Sequence, residues 1–398
     1  MLQKEMYKEA QDSFLLQYEK KKMQECAGTL HNLASAFLSE EKEEEEKDRQ
    51  SLFFRRRLKE SRVLVADHLK EMAGMIQKAA QEKIQVIRPT GKMIKQMTKS
   101  FLLEGLVLED FYILAKEKDR KEIVIRIYQN NLISKNKVYS TEEVAEFLSV
   151  LLNLRLVPAL KTPFFITDKP ENFCFEEDSK YMVLTGYAKS TKEGEKVSGD
   201  NYIFFETEDK KFYGILSDGM GSGQKAYEDS EAVLNYAEKY LEGGFSTRLT
   251  AKIINDAILV MGEGKNMSTL DICGIDLYTG ETEFLKVGAA YGFLKRDGYV
   301  EKIPSISLPL GIFHDLEINQ YRKQLLDGDY IFLFSDGVLE HFSGEEGEEF
   351  LKQMIAEIPY RRPAEMASHI MKQAIALSKG RIRDDMTVLV MGIWENME

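Results

Sequence analysis

Cysteine and histidine are scarce in this chain, which holds three cysteines and five histidines among 398 residues. The cysteines, Cys26, Cys174 and Cys273, lie far apart, and none stands in a Cys-x-x-Cys motif or beside a histidine. This spacing gives no sign of a disulfide framework or of a zinc site. A chain without such features is typical of a reducing compartment, so we expect it in the cytoplasm.

Long apolar runs and an excess of positive charge are also missing. The apolar runs are short, such as Tyr330–Phe334, whereas a membrane-spanning helix needs about 18 or more apolar residues. The first residues, MLQKEMYKEAQD, lack the apolar core of a signal peptide. The net charge is -12 and the isoelectric point is near 5.2, and a nucleic-acid binder would need an excess of Lys and Arg instead. We therefore expect neither a membrane segment nor a nucleic-acid partner.

The first hundred residues have few glycines and carry apolar residues at helical spacing, which predicts a set of long helices. One apolar stripe runs from Met23 to Phe37. A second stripe comprises Leu58, Val65, Leu69, Met72, Ile76 and Ala79. We expect this second stripe either to form a regulatory contact or dimer seam, or to pack on the module that follows. The acidic run Glu40–Gln50 is typical of a solvated helix face or a flexible joint, and the basic residues Arg55–Arg57 can pair with it.

The pattern changes at Arg88–Gly91, where proline and glycine interrupt the helical spacing. Beyond Phe101, short β-like runs surround one predicted helix, Thr141–Leu152. Ser140 and Glu143 fit a capping box at the start of that helix. This part of the sequence therefore predicts a small α+β module.

From about residue 180 onward, apolar runs predict a series of short strands that are joined by hairpin turns and by helices. The turns at 278–280 and 296–298 indicate antiparallel pairing. Strands of this kind with interspersed helices favour a layered α+β fold over a βαβ fold. We divide the chain into a helical regulatory segment at 1–100, a small α+β regulatory module at 101–178 and a layered α+β domain at 179–398.

Aspartates stand at the ends of four predicted strands. Asp218 and Asp336 each follow an apolar strand within a Ser-Asp-Gly motif, and Asp200 and Asp384 each precede one. Each motif alone can be an ordinary turn, because Asp hydrogen-bonds nearby backbone and Gly accepts positive φ. Together they predict oxygen ligands that converge at one rim, as hard divalent cations require. Clustered carboxylates are costly unless cations compensate their charge.

Two cations that share Asp218 would activate a water as the nucleophile, and this chemistry suits phosphate esters. No side-chain nucleophile is then needed, and the chain has no Gly-x-Ser-x-Gly motif. The histidines, which we interpret as surface or packing residues, are His31, His68, His314, His341 and His369. The glycines of 221–223 open the next predicted helix, where they either favour phosphate at its N-terminus or only permit the turn.

A series of stretches resembles, in order, the metal-dependent protein phosphatase (PPM) family and, within it, the stage II sporulation protein E branch. These are GYAKSTKEGEKVSGDN (186–201), LSDGMGSGQKAYEDS (216–230), INDAILV (254–260), MSTLDICGIDLYTGETEFLKVGAAYGFL (267–294), SLPLGI (307–312), LLDGDYIFLFSDGVLE (325–340) and DDMTVLV (384–390). The resemblance covers nearly all of residues 180–394, and more loosely the segment before them. It implies an αββα sandwich and a serine/threonine phosphoprotein phosphatase that uses two Mn²⁺ or Mg²⁺ ions.

The resemblance also implies roles for individual residues. The implied metal ligands are Asp200, Asp218, Gly219, Asp336 and Asp384, of which Asp218, Asp336 and Asp384 are the catalytic set. Asp218 would bridge the ions, Gly219 would contribute its carbonyl, and Asp200 would bind directly or through water. Asp384 takes the ligand role because it holds the first position of the Asp-Asp/Asn-Met-Thr signature. The neighbouring Asp385 would support the ligands.

The sporulation branch removes phosphate from a phosphoserine on an anti-sigma-factor antagonist, which controls a sigma factor, so the resemblance implies that partner. It also implies a homodimer and a switch in which the helix at about Gln224–Leu241 moves with the regulatory helices. The branch carries a multi-spanning membrane region before its regulatory part, which this chain does not show, so we expect a soluble relative or a fragment. Two alternatives stay open: an inactive signalling scaffold with this fold, and a metal-dependent nuclease or small-phosphate hydrolase.

Overall fold

A computed structural model describes residues 2–38, 49–81, 85–87, 89–115, 120–130, 137–159, 162–261, 267–305, 307–312, 318–359 and 361–396. The acidic run at 40–48, His314 and the side chains of 55–57, all considered above, lie outside what it describes. The chain forms two compact units, Met1–Asp178 and Ser179–Glu398. Among the described residues, every helix falls short of the length and hydropathy that a membrane crossing requires. The further division of the first unit at residue 100 stays a prediction.

Two long helices, α1 (Leu2–Leu38) and α2 (Arg49–Gln81), pack against each other at the start of the first unit. Among the side chains that the structure describes on these helices, the buried apolar residues are alanines at seven-residue spacing: Ala27 and Ala34 on α1, and Ala66, Ala73 and Ala80 on α2. A seven-residue repeat keeps one stripe of a helix facing its partner. The predicted stripe on α2 runs beside these alanines, and its Leu58, Val65 and Met72 are exposed.

The rest of the first unit is an antiparallel sheet with two helices. The elements are β1 (Gln85–Ile87), α3 (Gly91–Leu103), β2 (Leu106–Ala115), β3 (Lys121–Gln129), α4 (Thr141–Leu152), β4 (Leu156–Pro158) and β5 (Glu171–Glu177), with strand order β1-β2-β3-β5-β4. Alternate residues of β3 face the core with Phe101 of α3 and Leu148 of α4. The predicted capping box is confirmed, since Ser140 and Glu143 exchange their hydrogen bonds at the start of α4.

The second unit contains two antiparallel sheets of five strands each. Its strands are β6 (Tyr181–Ser190), β7 (Asp200–Glu206), β8 (Lys211–Asp218), β9 (Leu270–Asp276), β10 (Glu281–Val287), β11 (Gly292–Arg296), β12 (Tyr299–Ile303), β13 (Asn319–Gln324), β14 (Tyr330–Phe334) and β15 (Met386–Glu395). Sheet 1 has the order β13-β10-β9-β8-β7, and sheet 2 has the order β12-β11-β14-β15-β6. Its helices are α5 (Gly223–Glu242), α6 (Thr247–Met261), α7 (Asp336–Leu339), α8 (Gly344–Glu357) and α9 (Pro363–Leu377).

Apolar clusters show how these elements stack. One cluster fills the space between the sheets, a second joins sheet 1 to α5 and α6, and a third joins sheet 2 to α8 and α9. Representative buried residues are Leu216 and Leu389 in the first cluster, Ala237 and Ile272 in the second, and Ile370 and Val388 in the third. The order of layers is therefore helices, sheet, sheet, helices, which confirms the predicted αββα sandwich.

Two strands of this unit escaped the sequence prediction. Both β12 and β13 lie at sheet edges, and their sequences, YVEKI and NQYRKQ, carry charged or polar side chains. Edge strands often carry charge because it discourages pairing with other chains. Such sequences lose the apolar pattern from which strands are predicted.

Candidate active site

Two of the predicted metal ligands lie opposite each other on sheet 1. Asp200 is the first residue of β7 and Asp218 is the last residue of β8, and the two are paired in the antiparallel register. The amide of Asp218 donates to the Thr269 hydroxyl at 2.8 Å, and the Asp218 carbonyl accepts from the Thr269 amide at 2.8 Å. The backbone that carries Asp218 is therefore fixed on both sides.

The other two predicted ligands belong to sheet 2. Asp336 opens α7 directly after β14, and Asp384 lies just before β15, the neighbour of β14. A Cβ atom at Gly337 would stand 2.2 Å from the Asp385 carbonyl oxygen and 3.3 Å from the Asp384 Cβ. Only a glycine lets the start of α7 pack this closely on the Asp384–Asp385 turn.

The two sheets meet at these residues. The Thr387 hydroxyl of sheet 2 donates to the Asp200 carboxylate of sheet 1 at 2.6 Å. The pKa of Asp218 is raised to about 9, first by burial and then by the carboxylates of Asp200, Asp336 and Asp384. The structure therefore brings all four predicted aspartates within electrostatic reach at one rim of the sandwich.

Gly219 lies between this rim and helix α5. A Cβ atom at Gly219 would stand 2.0 Å from the Ala226 carbonyl oxygen, so α5 packs directly on bare backbone. Gly199 is also close, because its own Cβ would stand 2.8 Å from the Ala226 Cβ and 3.3 Å from the Gly219 carbonyl oxygen. The amide of Gly219 donates to the Gly199 carbonyl at 3.2 Å. Any shift of α5 would therefore change the packing at the Gly219 backbone directly.

Asp385 holds the loop that leads into Asp200. Its carboxylate is 3% exposed and accepts from the backbone amides of Lys192 at 2.9 Å and Gly199 at 2.7 Å. The side chain therefore binds the loop backbone just before Asp200. The resemblance implies a supporting role for Asp385, and that role stays a prediction.

Replacing Asp385 by asparagine should lower the free energy of unfolding by about 1–3 kcal/mol, because one buried amide would face an NH₂ group and lose its acceptor. Asp327→Asn is the matched control, since Asp327 also accepts a backbone amide, from Glu395 at 2.8 Å, but is exposed. Its expected change is within about 0.5 kcal/mol. Urea unfolding of both variants would measure this, and equal effects would contradict the buried role of Asp385.

The chemistry of the cluster fits a hard divalent cation. Asp200 is fully buried, and its Oδ1 atom makes no hydrogen bond among the described residues. Burial raises the pKa of Asp200 to about 6 despite the Thr387 hydrogen bond. An unpaired buried carboxylate oxygen is unfavourable without a cation or water, and all the donors here are oxygens. Within the described part of the chain, no group of three or more His, Cys, Asp or Glu side chains is arranged so that it could hold a metal ion as it stands.

Sequence reasoning overlooked two lysines beside the cluster. The Lys192 ammonium lies 3.9 Å from an Asp384 carboxylate oxygen, and Lys189 donates to the Asp200 carbonyl. Burial lowers the pKa of Lys189, against the opposing influence of Asp200 and Asp385. Both lysines lie in the stretch 186–201, which also contains Asp200. Their positive charge close to a predicted metal ligand could have identified them from the sequence.

The sequence and the structure of this chain are similar to those of known proteins. Residues 208–394 match the profile of the family described as stage II sporulation protein E. The chain is 28% identical to stage II sporulation protein E of Bacillus subtilis (strain 168) over 350 residues, which is 87% of this chain and 41% of that protein. Residues 208–394 are therefore similar to the stage II sporulation protein E family. The resemblance found in the sequence is thereby confirmed.

Two further relatives extend the match. Stage II sporulation protein E of Priestia megaterium is 35% identical over 231 residues, covering 57% of this chain and 40% of that protein. A solved structure of the PP2C phosphatase domain and a fragment of the regulatory domain of the Bacillus subtilis protein aligns with a TM-score of 0.62 at 27% identity, covering 88% of this chain and 96% of that one. The second unit therefore has the PP2C phosphatase fold. The chain spans about two fifths of the length of the curated family members.

Proposed function

We propose that this chain is a serine/threonine phosphoprotein phosphatase that removes phosphate from a phosphoserine on an anti-sigma-factor antagonist. The observation that carries the proposal is the meeting of four aspartates from both sheets at one rim, with the pKa of Asp218 raised to about 9 by burial and by its neighbours. Such a cluster is suited to divalent cations. Similarity to the stage II sporulation protein E family supports the phosphatase activity and the sporulation-type substrate.

Two Mn²⁺ or Mg²⁺ ions would be held by the carboxylates of Asp200, Asp218, Asp336 and Asp384 and by the Gly219 carbonyl. Bound divalent ions polarise a water for attack on phosphorus and neutralise developing charge. The chain's own residues set the geometry. Asp218 stands at a strand end that Thr269 fixes, Thr387 orients Asp200, and Asp385 holds the loop before it. Lys192 adds a positive charge at the partly exposed side of the cluster, where a phosphoserine dianion would enter.

Substrate selectivity tests the finer part of the proposal. Phosphate release from a phosphorylated antagonist protein should exceed release from a phosphoserine peptide of the same local sequence by at least about tenfold in kcat/KM, which corresponds to about 1.4 kcal/mol of additional binding in the transition state. An unrelated phosphoserine protein serves as the control. Equal rates on all three would retain a phosphatase and reject the antagonist as its specific substrate. Hydrolysis of nucleic acid or of small phosphate esters alone would favour the alternative of a metal-dependent nuclease or small-phosphate hydrolase.

The second candidate function is a signalling scaffold that uses the phosphatase fold only to bind partners. One observation favours it, namely that no group of three or more described His, Cys, Asp or Glu side chains is arranged so that it could hold a metal ion as it stands. Calorimetric titration of metal-free protein with Mn²⁺ separates the two candidates. The phosphatase should show saturable divalent sites, and a scaffold should show none.

We also propose that α2 contributes a homodimer seam. Leu58, Val65 and Met72 lie on one stripe and are exposed, whereas the alanines beside them are buried against α1. An amphipathic helix face of this kind is typically covered by another apolar surface. A second copy of the chain is the partner that the family relationship supports.

Placing glutamate at Leu69 and Met72 together should weaken self-association by more than about tenfold, because burying each apolar side chain contributes about 1.5–3 kcal/mol. The control is Lys78→Glu, which adds negative charge to an exposed position on the same helix. Sedimentation equilibrium would measure both. An unchanged oligomeric state in the double variant, together with unchanged activity, would rule out the seam.

A further inference from the structure

A fully buried ion pair lies in sheet 1, and neither of its residues carries an assigned role. Lys286 of β10 and Asp271 of β9 are 1% and 0% exposed, and they stand opposite each other in the strand register. Removing two charges from water is costly, and apolar residues of similar size are often as stable in such places. Stability alone therefore does not explain why the pair is there.

The Lys286 ammonium also reaches out of its own sheet. It donates to the Ala290 carbonyl at 3.0 Å, and Ala290 belongs to the segment 288–291 that carries the chain from β10 in sheet 1 to β11 in sheet 2. At the start of β11, a Cβ atom on Gly292 would stand 3.5 Å from the same ammonium. One charged group therefore ties the crossover between the sheets to β9 and β10.

The strands on either side of this crossover lead to the metal ligands. On sheet 1, Asp271 pairs with Leu216 of β8, two residues before Asp218. On sheet 2, β11 pairs with β14, which ends directly before Ser335 and Asp336. Asp218 and Asp336 thus belong to different sheets, and the crossover held by Lys286 lies between the strands that carry them.

A small cavity connects Asp271 of the ion pair with these two aspartates. Its lining includes Asp218, Asp271, Ala290 and Asp336, and it offers about 10 Å³ to the centre of a water. A single buried water needs about 10–15 Å³ by that measure and two to four polar partners. Asp271 Oδ1 is buried without a hydrogen-bond partner, and an ammonium has a third N–H beyond its bonds to Asp271 and Ala290. The cavity therefore has room for about one water, with the Asp271 carboxylate as a polar partner beside Asp218 and Asp336.

We propose that Lys286 and Asp271 are a positioning pair for the metal site, which clamps the crossover and holds one water against Asp218 and Asp336 so that these carboxylates keep the separation that divalent ions require. The inference rests on the proposed function only in placing ions at the aspartates. It does not depend on which phosphoprotein is hydrolysed. Residues that orient metal ligands in this way commonly change metal affinity about 10- to 100-fold when they are replaced.

The test compares Mn²⁺ affinity, measured by calorimetry on metal-free full-length protein, between wild type and the double variant Lys286→Met, Asp271→Leu. The apolar pair keeps the approximate volume of the strands but removes the clamp and the partners of the water. Affinity should fall about 10- to 100-fold while the circular dichroism spectrum stays that of the folded protein. The single variant Asp271→Asn keeps the side-chain shape and should also lower Mn²⁺ affinity. It replaces the double variant in the test if the double variant does not fold.

The matched control is Lys295→Met. Lys295 is another buried lysine of this unit, on β11, and it donates to the Ile355 carbonyl of α8 at 2.9 Å. Its loss should leave Mn²⁺ affinity within about twofold of wild type. Wild-type affinity in a folded Lys286/Asp271 variant, or no Mn²⁺ binding to the wild-type protein, would overturn the inference. Mn²⁺ binding with the predicted loss in the variant, but without phosphate release by the wild type, would overturn the proposed function and uphold the inference.

Discussion

Asp218→Asn is expected to lower Mn²⁺-dependent phosphate release by about 10³-fold or more. Asparagine keeps the size of the side chain but removes the charge that would hold both ions, and the loss of several kcal/mol of transition-state stabilisation corresponds to that factor. Asp218 is the position where the surrounding carboxylates converge, since Asp200, Asp336 and Asp384 all act on its pKa. A phosphate-release assay at saturating Mn²⁺ measures the effect.

Asp297→Asn is the matched control for this substitution. Asp297 lies in the exposed turn between β11 and β12 at φ 51°, a left-handed conformation that asparagine adopts readily. The control should keep activity within about twofold of wild type, as surface substitutions usually do. Asp218→Asn protein that kept more than about a tenth of the wild-type Mn²⁺-dependent rate would contradict the assigned role of Asp218.

The second large effect is a pH-dependent stability of the metal-free protein. The pKa of Asp218 rises from 3.8 to about 9 on folding, first through burial and then through Asp200 and Asp336. A carboxyl whose pKa is raised by folding contributes its full stability below about pH 4 and loses it as pH rises towards 9. Metal-free wild type should therefore lose stability between pH 5 and pH 8 relative to Asp218→Asn, which cannot ionise at this position.

Thermal unfolding in the presence of a chelator measures this difference. The Tm of Asp218→Asn should exceed that of wild type by about 5 °C or more at pH 8, and the gap should shrink towards pH 5. Excess Mn²⁺ should raise the wild-type Tm at pH 8, since a ligand at about 100 times its Kd adds about 2.7 kcal/mol. Parallel pH profiles for the two proteins would show that folding does not raise the pKa of Asp218.

Central strands of the second unit were predictable because burial imposes a continuous apolar run. β14 is buried along its whole length, and β15 along most of it, so both read as apolar segments in the sequence. β12 and β13 were not predictable, because edge strands carry charges and lack that run. In the first unit, helix periodicity located α2, but the alanines Ala66, Ala73 and Ala80 that face α1 were hidden among larger apolar neighbours.

Some residues of the candidate site could be identified from local sequence motifs, and others only from the pairing of strands. Asp218 and Asp336 stand in Ser-Asp-Gly motifs, whose position after apolar strands marks them without any knowledge of the fold. Asp271 and Lys286 sit in ordinary strand sequence, LDICG and FLKVG, and only the register of β9 against β10 brings them together. A charge within an apolar strand was the single available signal, and its partner could not be identified before the strand pairing was known.

Metal-dependent phosphatase activity can be tested by phosphate release from a phosphoserine-bearing antagonist protein, measured on one metal-free preparation before and after addition of Mn²⁺. We expect negligible release without metal, a saturable rate with Mn²⁺, and a return to the baseline when a chelator is added. A rate that is independent of metal, or no release at any Mn²⁺ concentration at which the protein is shown to bind the ion, would contradict it.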